Sequence, residues 1–199
     1  RMYLDGTNLF VSAQRYTDNY YSGIGTSQIL VIDTLTNTVT KAIDLTWDDA
    51  GKAVYAKNPN SKFVHASASA WDNGDGHAHL FVLCTGVYGE TQSGGIVAID
   101  TAELAVESGF VAAESTIKAE ACDFDFADGR FYITADTTVC SLFLVDFDGS
   151  AKVLKSLTAA YSMPFVAASK TGLLLVADRS SSAPGVRIFD TARGDFISD

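Results

Sequence analysis

The chain has 199 residues, 47% of them hydrophobic and 19% charged, with 14 Lys+Arg against 24 Asp+Glu for a net charge of −10. That balance excludes a disordered chain, and basic residues scattered singly exclude a phosphate-tracking surface, so no nucleic acid is expected as a partner. No apolar run approaches the ~18 residues of a membrane helix, so no membrane span is expected. The chain opens on Arg1, which reads as a processed product or a piece of a longer polypeptide. Abundant Thr, Ser, Gly, Asn and Tyr with sparse Lys point to an extracytoplasmic location: periplasmic, cell-surface or secreted.

In chain order, a turn at Asp5-Gly6 precedes an apolar strand, Leu9 to Ser12. A long loop, Gln14 to Gln28, leads to the run Ile29 to Ile32, which stops at Asp33; a turn at Thr36-Asn37 and a more polar strand with Lys41 follow. An insertion spans 47–60. The pattern then recurs with a weak strand (Lys62 to Ala70), a turn at Asp75-Gly76, Leu80 to Leu83, a loop (Thr85 to Gly95), and Ile96 to Ile99 ending at Asp100. The third pass has Ala119 to Phe126, Asp128-Gly129, Phe131 to Thr134, then Leu142 to Val145 ending at Asp146. The fourth has Pro164 to Ser169, Thr171-Gly172, Leu173 to Val176, then Val186 to Phe189 ending at Asp190. The closing aspartates stand at 33, 100, 146 and 190, about 45 residues apart after a longer first interval, which is the length of a propeller blade.

Each unit therefore reads as four short strands, A to D, in an antiparallel meander. The units fall at about 1–46, 61–113, 117–158 and 162–199, with 47–60 an inserted loop. Strands B and C are apolar on both sides and need cover on both sheet faces, which sheets stacked about an axis supply. Strand D carries Lys41, Lys152 and Lys155, suited to an outer edge. The repeated Asp is expected to accept backbone N–H bonds in the C–D turn; the competing reading is a metal or catalytic carboxylate.

Val31-Ile-Asp-Thr-Leu-Thr-Asn-Thr-Val39 resembles the YVTN-type β-propeller repeat, with NHL-type repeats a near neighbour. The second unit departs from it at Glu103 and Leu104, and the third and fourth place Gly149 and Gly194 in the turn. The resemblance implies an all-β propeller of bacterial or archaeal surface and secreted proteins, usually of about seven blades. The four units here are then part of a larger ring, and further blades or another chain should cover the end sheets. It implies no reaction.

In a meander the B–C loops and D–A connections share one edge. Tyr16, Tyr20, Tyr21, Trp47, Tyr55 and Tyr88 gather on that long-loop face, the expected docking surface for a protein or glycan partner; the alternative is that they pack the loops onto the scaffold. The short-turn face carries Asp72-Asn-Gly-Asp-Gly-His-Ala-His79, where Asp72, Asp75, His77 and His79 could hold a cation, calcium by the oxygens or a transition metal by the histidines. The plain reading is a hairpin turn. A propeller hydrolase or lactonase-like enzyme, with a metal in a central channel lined by His65, Glu120 and Asp123, is the alternative function. The favoured one is a non-catalytic binding or assembly module, with no catalytic residue assigned. Cys84, Cys122 and Cys140 form no C-x-x-C pair; one disulfide and three free thiols both remain open.

Overall fold

Each repeat folds as an antiparallel meander. The computed structural model describes residues 1–14, 26–87, 90–136, 138–146, 148–157, 162–180 and 184–197, and the chain divides between the second and third repeats into two units, Arg1–Ala113 and Glu114–Asp199. The first sheet runs β1 (Met2–Asp5), β2 (Asn8–Ala13), β3 (Gln28–Asp33) and β4 (Thr38–Asp44), in that order.

The expected loop at 47–60 is instead largely sheet. β5 (Thr46–Asp49) and β6 (Lys52–Tyr55) form a hairpin whose two-residue turn has Ala50 at φ 51° and Gly51 at φ 83°. Two positive φ angles match the right-handed twist of the flanking strands, and Asp48 Oδ1 accepts from the Gly51 amide at 2.8 Å. The next strand starts earlier than expected, at Pro59.

The second sheet comprises β7 (Pro59–Ala66), β8 (His79–Cys84), β9 (Gly95–Asp100), β10 (Ala105–Val106) and β11 (Ala112–Ala113), ordered β10-β9-β8-β7 with β11 also on β9. β7 ends at Ala66 rather than Ala70, because the Ala70 and Trp71 amides turn back onto the Ser67 carbonyl. The D edge is split in two, and Phe110 between the halves lies over Gly95.

A single helical turn, α1 (Glu114–Ile117), opens the second unit, its buried Glu114 carboxylate accepting from the Ala121 amide at 2.9 Å. The third sheet is β12 (Glu120–Ala127), β13 (Arg130–Asp136), β14 (Cys140–Val145) and β15 (Ala151–Ser156); the fourth is β16 (Val166–Ala168), β17 (Leu173–Asp178), β18 (Gly185–Asp190) and β19 (Asp195–Phe196).

Within each unit, two sheets pack with like strands adjacent. In the first, β1 and β2 lie against β7, and β4 against β10. Phe10, Ile29, Val31, Leu80, Val82, Val97 and Ile99 are fully buried between the sheets, each worth about 1.5–3 kcal/mol. Tyr3 stacks on His65 with ring centroids 5.7 Å apart. In the second unit β12 lies against β16, with Leu142, Leu174, Val176 and Phe189 in the shared core. Here carboxylates stitch sheet to sheet: Asp123 Oδ2 accepts from the Val166 amide at 3.0 Å and Asp125 Oδ2 from the Ala168 amide at 2.9 Å.

The recurring Asp-Thr closes both turns at one end of its sheet. Asp33, Asp100 and Asp190 each accept two amides of the C–D turn through one oxygen, for example Asp100 Oδ1 from Ala102 at 2.7 Å and Glu103 at 2.9 Å. The following Thr34, Thr101 and Thr191 each bond through amide and hydroxyl to a carbonyl at the neighbouring A–B turn: Thr7, Ala78 and Gly172. The third repeat differs. Asp146 pairs with Arg130 Nε at 2.9 Å, and Asp148 caps the turn through the Ser150 amide.

The first and fourth sheets each present an open apolar face. On the first, cross-strand register aligns Met2, Val11, Leu30 and Ala42 in one row and Leu4, Leu9, Ile32 and Val39 in the next. Met2 is 69% exposed, Leu4 and Val39 57% each, and the strands between are half-buried. On the fourth, Ala167, Leu175 and Ile188 form a row, with Val186, 67% exposed, and Phe165 alongside. Strands β8 and β9, by contrast, are buried throughout.

Candidate functional site

The A–B turn, C–D turn and D edge of the second sheet converge on one group. Asp75 comes from the 72–78 turn, His79 opens β8, Asp100 closes β9 and Glu107 follows β10. One ligand atom from each of the four lies within 4.8 Å of the others. His79 is fully buried, and its Nε2 sits 3.2 Å from both Asp75 Oδ2 and Glu107 Oε1. Its Nδ1 faces the His77 carbonyl at 3.3 Å, and Trp71 meets the ring edge-on at 4.5 Å. The ring therefore turns Nδ1 to the backbone and Nε2 to the two carboxylates.

His77 does not join His79 as a paired ligand. Its Nδ1 lies 2.7 Å from Asp100 Oδ2, and that hydrogen bond raises the imidazole above its ordinary range, against a smaller opposing effect of burial. Burial pushes Asp100 up, but the bond from His77 and the amides of Glu103 and Ala102 outweigh it and hold the carboxyl low. Asp75 is likewise low: burial pushes it up, but the His77 amide and the Asn73 side chain together outweigh that. Asp72 stands apart, accepting from the Gly74 amide at 3.0 Å as a turn residue. Of the four residues expected from the turn sequence, Asp75 and His79 thus meet, and Asp100 and Glu107 complete the group from distant strands. The repeated Asp here serves the turn with one oxygen and the cluster with the other.

On the long-loop face, Trp47 meets Phe110 edge-on at 5.1 Å and packs the hairpin onto the core, while Tyr55 is half exposed. Tyr55 borders a cleft of about 240 Å³ between β6 and the B–C loop of the second sheet, lined also by Lys52, Lys57, Gly86, Glu90 and Ser93. Gly86 is required there, since a Cβ would fall 2.2 Å from Ser93 Oγ. Tyr16, Tyr20, Tyr21 and Tyr88 lie outside the described residues.

The residues expected to line a channel are otherwise placed. His65 is exposed beneath Tyr3, Glu120 is exposed at the start of β12, and buried Asp123 is held by the Val166 amide. His65 belongs to the first unit, Glu120 and Asp123 to the second. All three cysteines are free thiols. The hydrogen bond with Cys140, together with burial, pushes the Cys122 thiol well up, so it is a poor nucleophile.

No family model matches the chain, and no curated protein matches it.

Proposed function

We propose that the chain is a non-catalytic, extracytoplasmic assembly module: part of a YVTN- or NHL-type β-propeller whose first and fourth sheets are each met by another sheet of the same kind. One observation carries the reading, the two apolar rows left open on the first sheet. A sheet apolar on both faces is stable when both are covered. The occupant follows from how the chain packs its own sheets, with like strands side by side. Covering Met2, Leu4 and Val39 alone is worth roughly 1 kcal/mol each, since each is more than half exposed. In isolation the chain then joins head to tail, the first sheet of one copy on the fourth of the next, a heterologous contact that closes a ring or extends. A protein or glycan partner on the long-loop face would use the cleft at Tyr55, whose exposed ring offers contact area at low entropic cost. Composition supports the extracytoplasmic location.

Sedimentation equilibrium of the purified chain tests the assembly. The mass rises with concentration, and Leu4→Lys combined with Val39→Lys lowers it to that of one chain with the circular dichroism spectrum unchanged. A wild-type chain that stays monomeric, without binding an apolar dye, overturns the reading.

A further inference from the structure

We infer that Asp75, His79, Asp100 and Glu107 form a binding site for a zinc-class divalent cation on the turn face of the second sheet. The inference is independent of the assembly reading. It starts from His79. The imidazole is fully buried, its ring is fixed by Trp71 at 4.5 Å, and its Nδ1 faces the His77 carbonyl at 3.3 Å. Its Nε2 points at oxygens of Asp75 and Glu107, each 3.2 Å away, so one ring nitrogen and two carboxylates converge on a single point. Two carboxylates facing one imidazole carry more negative charge than that ring can offset in either protonation state, which favours a divalent cation among them. Asp100 adds a third carboxylate within the same 4.8 Å. Asp100 Oδ2 is bonded by His77 Nδ1 at 2.7 Å and Asp75 Oδ2 by the Asn73 side chain at 2.8 Å, which fixes both carboxylates in place.

The geometry is that of a preorganised ligand set. A carbonyl acceptor behind a histidine is how metal-binding imidazoles are oriented, and His77–Asp100 supplies the matching outer bond to a carboxylate ligand. One nitrogen and three carboxylate oxygens form the donor set of a tetrahedral zinc-class ion; calcium takes six to eight oxygens and makes no use of the imidazole. The site is particular to the second repeat. The corresponding aspartates Asp33 and Asp190 cap their turns in the same way, yet among the described residues no such group gathers around them.

The test is titration of the chelator-treated chain with Zn²⁺ and with Co²⁺, followed by calorimetry and by the visible d–d absorption of bound Co²⁺. One equivalent binds with a nitrogen–oxygen spectrum free of thiolate charge transfer, and the unfolding temperature rises with metal concentration. Glu107→Gln and Asp75→Asn, both near the surface and near-isosteric, each weaken binding by about tenfold or more with the circular dichroism spectrum unchanged. Cys122→Ser leaves it unaltered. The inference is overturned if neither metal binds, if only calcium binds, or if binding survives both carboxylate substitutions.

Discussion

Replacing Asp123 by Ala tests whether carboxylates join neighbouring sheets or wait for a ligand. Asp123 is 6% exposed, and its Oδ2 takes the Val166 amide at 3.0 Å; Val166 is itself buried, on the edge strand β16 of the fourth sheet. A hydrogen bond to a charged acceptor is worth about 1.5–3 kcal/mol, and removing the acceptor strands the amide away from water. The expected loss is about 2 kcal/mol for Asp123→Ala. Asp125→Ala, whose Ala168 partner is less buried, loses about 1 kcal/mol by the same reasoning. Asp123→Asn keeps an oxygen acceptor and recovers about half of the loss. Urea unfolding followed by far-ultraviolet circular dichroism reads the totals. Hydrogen exchange at the Val166 amide reads the bond itself, with protection falling about thirtyfold for a 2 kcal/mol loss. A loss below about 0.5 kcal/mol with unchanged exchange at Val166 would refute the stitch.

Two further outcomes follow from single contacts. Gly95→Ala sets a Cβ 2.7 Å from the Phe110 ring and 2.8 Å from the Ala112 carbonyl, so it destabilises the first unit by about 1–3 kcal/mol in urea unfolding. Asp178, buried at the end of β17, is pushed up by burial but pulled further down by the Ser180 amide and by Arg187 Nε at 2.5 Å. Its folded pKa is therefore depressed, and the pair's stabilisation is complete above the unfolded value of about 3.9 and lost as pH falls through the folded value. Asp178→Asn flattens that acid limb in a pH series of unfolding curves; an unchanged limb would count against the pairing.

The strand pattern was legible because apolar runs broken by Asp and Gly report local geometry. Asn37 at φ 55° and Gly194 at φ 71° sit where the turn needs a left-handed residue, and both types are read as such from sequence. Leu104, at φ 53°, occupies the same place in the second repeat and hid it, held there by packing against the core. Ala50 masked the β5–β6 hairpin in the same way, though Thr46-Trp47 and Val54-Tyr55 flanking Asp-Ala-Gly were an available signal. Half of the cation group was legible because Asp75 and His79 are four residues apart. Asp100 and Glu107 arrive through strand pairing, His79 opposite Asp100 across β8 and β9, and no local spacing encodes that. The threonine of Asp-Thr was visible as a repeat, but its bond reaches some twenty residues back to a turn carbonyl, as from Thr101 to Ala78.

The assembly is tested most directly by photo-crosslinking from the open face of the first sheet. With a benzophenone side chain in place of Leu30, irradiation should give a covalent dimer whose adduct maps to the fourth sheet, around Leu175 and Val186, on a second copy. Adducts confined to single chains, or dimers joined elsewhere, would contradict the account.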